Sequence, residues 1–264
     1  MLGKLFKYDF KWMSKVTYVY VLILIVISIA LKIVESVDQT FLLVILDKIL
    51  VSMFISCIVS ILLTSSLRIW ARFIKNFYKD ESYLTHTLPV TKNNIYNSKF
   101  IQTLIFYFIS FIIIILSLFI TYYTKENWAG ITNFIKNITT GLNMSTIFFV
   151  IMFIIIVFLE IFNAIQCGFL GMIIGHRFNS NKILYSVVFG FVAYLVAQTL
   201  ILILLFIFGL FDPSIMELFK TSTINIDVNV FKTLTILSTV LYLIIIGIMR
   251  FICIKLLNKG VNVE

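Results

Sequence analysis

Residues 183–211 read ILYSVVFGFVAYLVAQTLILILLFIFGLF, with no charged side chain and no proline. About 20 consecutive apolar residues suffice for a helix to cross the hydrocarbon of a bilayer, so this run spans it with residues to spare, by tilting or by projecting beyond it. The apolar character is continuous rather than alternating, which excludes the strands of an outer-membrane barrel.

Working outward, five further runs of the same kind occur at 17–33, 49–70, 100–122, 144–165 and 231–257. Composition agrees: 61% of the 264 residues are hydrophobic and only 12% are charged, with a mean hydropathy of +1.08. Too few polar side chains remain to cover a water-exposed surface. Two prolines and ten glycines in the whole chain favour long helices, which satisfy their own backbone hydrogen bonds where no water is present. The expected fold is an all-α membrane protein, one domain over 1–264 with six transmembrane helices. The first run has a basic flank, but its length and the sequence Lys32-Ile33-Val34-Glu35 fit a retained span, not a cleaved signal.

The net charge of +9 follows from topology. With both termini inside, the inner segments carry fifteen of the 21 lysines and arginines. Lys32, Lys48, Lys125, Lys136, Lys220 and Lys232 stay outside among the acids Glu35, Asp38, Asp47, Glu126, Asp212, Glu217 and Asp227. The positive-inside rule selects this orientation, so the termini are expected in the cytoplasm and the chain in the plasma membrane, with no nucleic-acid partner. Cys57, Cys167 and Cys253 all lie in apolar runs without C-x-x-C spacing. They read as packing residues, and no metal or cofactor is expected.

Two polar segments carry information. Over 1–16, MLGKLFKYDFKWMSKV, helical winding gathers Lys4, Lys7, Lys11 and Lys15 on one side and Leu2, Leu5, Phe6, Phe10 and Met13 on the other. This predicts an amphipathic helix in the membrane interface, its lysines near anionic lipid headgroups. Asp9 falls on the apolar side, where a carboxylate requires a cationic partner from the ends of neighbouring spans. The segment 72–99, RFIKNFYKDESYLTHTLPVTKNNIYNSK, is the longest polar interval on the inner side. Asp80 is a candidate cap for a short helix through Glu81, Ser82, Tyr83 and Leu84. Pro89 lacks an amide donor and biases Leu88 toward extended backbone, which stops that helix. Thr91 then caps the helix entering the third span. Tyr83, Leu84 and Leu88 form an exposed apolar knob of the kind used for docking.

The opening MLGKLFKYDFK and the block FYKDESYLTHTLPVTKNNIYNSKF resemble the membrane subunits of ABC-2-type transporters, the export-class permeases of Gram-positive bacteria. The family pattern of two acids, a small residue, Tyr-Leu, then Thr-Leu-Pro is matched by Asp80, Glu81, Ser82, Tyr83, Leu84, Thr87, Leu88 and Pro89. Relatives often carry glycine where this chain has Ser82. The resemblance covers about a sixth of the chain and implies that 72–99 is a cytoplasmic coupling segment between spans two and three. Its short helix would insert into a separate ATP-binding subunit. It also implies a second permease chain, alike or related, and an exported substrate such as a peptide antibiotic, lipid or drug. The alternative is a sensor or assembly scaffold that transports nothing and uses the same knob.

No G-x-x-x-x-G-K-[ST] phosphate loop, H-E-x-x-H pair or credible Ser-His-Asp set is present, so the chain is expected not to be an enzyme on its own. Inside the fourth run, Glu160 is an acid in apolar surroundings and must face protein or water. Helical spacing aligns it with Ala164, Gly168, Gly171 and Gly175, with Asn163 and Gln166 beside it. Small residues there predict a close helix contact. Outside the membrane, Asp212-Pro213 predicts a short interfacial helix over DPSIMELFK, 212–220, with the aspartate as cap.

Overall fold

The computed structural model describes residues 2–37, 40–87, 89–141, 144–212, 215–216 and 228–260. All regular structure among them is helical, in the order α1 (Leu2–Glu35), α2 (Phe41–Phe77), α3 (Ser82–Thr87), α4 (Lys92–Tyr122), α5 (Lys125–Gly141), α6 (Thr146–Gly175), α7 (Lys182–Phe211) and α8 (Val228–Asn258). Six of these, all except α3 and α5, are long and apolar enough to cross a membrane. Their outward faces carry large apolar side chains such as Val26, Leu63, Phe108, Phe153, Leu202 and Phe251, which only lipid can solvate. The protein is a multi-pass membrane protein.

The chain forms two compact units, Met1–Trp128 and Ala129–Asn262. In the first, α1 packs against α2 and α4. Leu24, Ile27 and Leu31 of α1 meet Phe54, Cys57 and Ile61 of α2 in a closed apolar core. Several hydroxyl side chains in the spans return to their own helix, as Ser28 does to the Leu24 carbonyl at 2.7 Å and Ser110 to that of Phe106 at 2.9 Å, which gives their donors a partner in apolar surroundings.

The interfacial helix expected over 1–16 has no boundary of its own. Residues 2–16 are the first turns of α1, whose 34 residues extend about 50 Å at 1.5 Å each, well beyond a hydrocarbon core of about 30 Å. The physical reason is that no proline or glycine falls between Lys4 and Glu35, so nothing interrupts the backbone ladder. Within those turns Lys7, Lys11 and Lys15 are exposed, Phe6 and Phe10 are half-buried, and Asp9 and Met13 are buried; the side chains of Leu2, Lys4 and Leu5 lie outside the described ones.

Helix α5 is an element the sequence reading missed in the connection between the third and fourth spans. The Thr124 hydroxyl accepts from the Asn127 amide at 3.0 Å and caps its start. Trp128, Ile131, Phe134, Ile135 and Ile138 recur every three or four residues among polar neighbours, giving an amphipathic helix.

In the second unit α6 packs against α7 and α8. Six residues, 176–181, return the chain from α6 into α7, with Asn181 in the left-handed region at φ 48°, a conformation asparagine tolerates. The glycine stripe does what its spacing predicts. A Cβ on Gly171 would fall on the backbone of Ser186 and Gly190, and one on Gly175 on Ser186, so the two backbones touch directly. Gly171→Ala should therefore force the helices apart and lower stability by about 1–3 kcal/mol, read as a lower unfolding midpoint in detergent. An unchanged midpoint would show that the contact yields freely. The helix expected over 212–220 lies outside the described residues except for Asp212, Ile215 and Met216. Of these, the Ile215 and Met216 amides both reach the Asp212 carbonyl at 3.1 Å.

Candidate functional site

The first site is built around α3. A tight turn at residues 78–81 leads into it, with the Ser82 amide bonded to the Lys79 carbonyl at 2.6 Å. One side of α3 is anchored: Ser82 and Thr85 are buried, the Thr85 hydroxyl donates to the Glu81 carbonyl at 2.8 Å, and the His86 ring nitrogen lies 3.2 Å from the Phe77 carbonyl. The opposite side is bare, with Tyr83 65% and Leu84 73% exposed. Thr87 and Pro89 are also exposed; Leu88 lies outside the described residues. After the proline, Thr91 caps α4 as expected, its hydroxyl accepting from the Asn94 amide at 3.4 Å.

Asp80 does not fill its expected capping role. It is exposed in the turn, and α3 begins two residues later. Glu81 is the acid that is engaged, receiving Arg72 at 2.8 Å and Lys75 at 3.3 Å. The reason is reach: Arg72, one turn before the end of α2, stands next to the later acid.

Arg72 also donates from Nε to Asp9 at 2.7 Å, and the other oxygen of Asp9 is held by Lys99 of α4. The partner required for Asp9 is thus found twice over. Asp9 is 2% exposed and Lys99 5%, so this pair is withdrawn from water and each charge depends on the other, while Arg72 is shared between Asp9 and Glu81. Trp12 closes the arrangement: the Arg68 guanidinium lies 4.4 Å and that of Arg72 5.3 Å from its ring centre, while Arg68 donates to the Trp12 carbonyl at 2.6 Å. Cations over an indole face gain further attraction. One buried acid on α1 therefore ties α2, α4 and, through Arg72 and Glu81, the base of α3 into a single unit. Sequence reasoning placed Asp9 and Glu81 among the site residues but not Trp12, Arg68, Arg72 or Lys99, because only tertiary contacts select these among many similar charges.

A second polar cluster lies in the other unit. Glu160 of α6 accepts at Oε1 from the Tyr194 hydroxyl at 2.6 Å and the Gln198 amide at 2.8 Å, both on α7. The Tyr242 hydroxyl of α8 lies 3.5 Å from Gln198 Oε1. Asn163 and Gln166 are wholly buried beside it. The acid faces protein, as its cost in lipid demands. Gly168 lies with Gly171 against α7, its Cα 3.7 Å from a Cβ built at Gly190, so the glycines and the polar cluster share the α6–α7 contact. Tyr194, Gln198 and Tyr242 were not singled out from sequence; a glutamine in the middle of an otherwise apolar run was the one available signal.

Among the described residues no group of three His, Cys, Asp or Glu side chains could hold a metal ion. No family model, no curated protein and no solved structure matches this chain.

Proposed function

We propose that the chain is the membrane-spanning permease subunit of an ABC-2-type exporter, driven by a separate ATP-binding subunit that docks on α3. The observation that carries this reading is the form of α3 itself: a six-residue helix braced on one side by buried contacts and an ion-pair network, presenting an apolar Tyr83-Leu84 pair on the other. An exposed apolar pair on a rigid mount fits a hydrophobic groove on a partner, where such anchors dominate binding. The network adds a route for force. Movement imposed on α3 passes through Glu81 and Arg72 to Asp9, and so to α1 and α4 together, which is what rocking a helix bundle between two access states requires.

In this reading both termini and 72–99 face the cytoplasm of a plasma-membrane protein, and two such chains pair beside two ATP-binding subunits. The exposed Lys7, Lys11 and Lys15 then lie near the anionic inner leaflet, each contributing about 1 kcal/mol. Helix α5 lies at the outer surface.

Topology is checked by single cysteines in a variant lacking Cys57, Cys167 and Cys253. Lys79→Cys should resist an impermeant thiol reagent on intact cells, and Lys136→Cys on α5 should react. Reaction at position 79 would overturn the orientation. The transport reading itself is tested by ATP-dependent substrate movement in vesicles containing the chain and its ATP-binding subunit. Association without movement would favour a scaffold or sensor.

A further inference from the structure

Helix α5 presents two exposed sides of opposite character. At about 100° per residue, Trp128, Ile131, Phe134, Ile135 and Ile138 fall within a sector about 120° wide, and Lys125, Glu126, Asn133, Lys136 and Asn137 lie opposite. Asn127, in the first turn, is the exception, and its side-chain amide donates back to the Tyr122 carbonyl at 3.2 Å. The polar side is exposed. The apolar side is not closed off either: Ile135 and Ile138 are half-buried, while Ile131 stays 49% and Phe134 67% exposed.

The two ends of α5 decide what meets that apolar side. The exposed pair Lys32 and Glu35 marks where α1 reaches water, and Lys32 donates to the Tyr123 carbonyl at 2.9 Å. At that level α4 stops on an extended Tyr123, φ −72° and ψ 99°. The chain then turns, bringing the Trp128 ring to 6.1 Å from that of Phe119 between centres, where one continuous helix would separate the two residues by about 13 Å along its axis. At the far end the Met144 amide returns to the Thr139 carbonyl at 2.8 Å, and the Thr139 and Thr146 hydroxyls are 3.1 Å apart, so the last turn of α5 is tied to the first residue of α6. Because α5 is too polar to be a span, α4 leaves the bilayer and α6 re-enters it through the same face. Helix α5 therefore begins and ends at one membrane surface. Exposed apolar side chains run to the tips of both spans, as Phe119 and Ile120 on α4 and Ile147 on α6 do, so the lipid-facing surface reaches the level of α5.

We propose that α5 is an in-plane membrane anchor whose partner is the lipid of the leaflet at which α4 ends. The side bearing Ile131 and Phe134 enters the boundary between headgroups and acyl chains by about 5–10 Å, with Lys125 and Lys136 turned toward phosphate and water. Tyr123 and Trp128 supply the amphipathic rings that favour this depth. A helix standing off in water would leave two large apolar side chains with nothing apolar to solvate them, next to a bilayer that can. The inference needs only that α4 and α6 are consecutive spans. It rests neither on the transporter reading nor on which side of the membrane is the cytoplasm.

The test is spin-label depth measurement on the full chain in vesicles of phosphatidylcholine and phosphatidylglycerol. Ile131→Cys, Asn133→Cys, Phe134→Cys and Lys136→Cys, each in the variant lacking Cys57, Cys167 and Cys253, carry a nitroxide. Its collisions with oxygen, which concentrates in lipid, are compared with its collisions with a water-soluble nickel chelate. The ratio of oxygen to nickel collisions should be several-fold higher at positions 131 and 134 than at 133 and 136. If the variant without native cysteines does not fold, the same positions are read with those cysteines in place, because all three are buried and the label taken up by wild type gives their background. Frequent nickel collisions at all four positions would place α5 in water and overturn the proposal. Rare collisions with both reagents at 131 and 134 would overturn it in favour of a protein cover. If that protection disappears at one chain per vesicle, the cover is a second copy of the chain.

Discussion

Asp9→Ala should lower the stability of the chain by about 3–5 kcal/mol, the cost of removing one member from a buried ion-pair group. The size of the effect follows from what stays behind. Arg72 keeps Glu81, but Lys99 is almost fully buried and would lose the acid it is bonded to. An unpaired ammonium in that position must drag in water or pull α4 away from α1. The same argument predicts a rescue. Lys99→Met in the Asp9→Ala background removes the stranded charge and fills its volume with an apolar side chain, so the double variant should recover much of the loss. Unfolding midpoints of the four proteins in one detergent measure this. Additive losses in the double variant would mean that the two charges do not depend on each other.

The same variants separate bracing from docking. Asp9→Ala leaves Tyr83 and Leu84 in place, so in the proposed permease it should weaken the link between ATP hydrolysis and transport more than it weakens attachment of the ATP-binding subunit.

The six spans were legible because each is a run of apolar residues longer than the hydrocarbon requires, a signal that local sequence carries by itself. Their ends were less legible. Helix α2 runs seven residues beyond the expected 70 to Phe77, and α4 starts at Lys92, eight residues before the expected 100. Polar residues such as Arg72, Lys75 and Asn93 are good enough helix formers to continue a span into water, and a hydropathy criterion cannot register that. Helix α5 escaped for the opposite reason: it is amphipathic and too polar to resemble a span, and its 3–4 spacing becomes visible only when the connection is considered as a helix in its own right.

At the candidate sites, residues with a local mechanism were readable and those selected from a distance were not. The stop at Pro89 and the cap at Thr91 depend on neighbours in sequence. The choice of Glu81 over Asp80 depends on Arg72, and the partners of Asp9 lie 63 and 90 positions away. In the same way Glu160 and the glycines could be placed on one side of α6, while the residues facing them, Tyr194, Gln198 and Tyr242, belong to helices whose register against α6 no periodicity specifies.

The central claim is that Tyr83 and Leu84 are the anchor for an ATP-binding subunit. Their truncation should leave the membrane core intact, because both are exposed and neither contributes to the contacts that hold α3. Loss of a small buried anchor can cost 2 kcal/mol or more, and about 1.4 kcal/mol already weakens binding tenfold. The decisive measurement is the ATPase activity that co-purifies with the tagged full chain from its own cell membranes, compared among three proteins. Wild type should carry it. Ile131→Ala with Phe134→Ala, on the exposed face of α5, should carry as much. Tyr83→Ala with Leu84→Ala, extracted at wild-type yield and with a wild-type unfolding midpoint, should lose at least about nine-tenths of it. Wild-type levels of co-purifying activity in that last variant would contradict the claim that α3 is where an ATP-binding subunit docks.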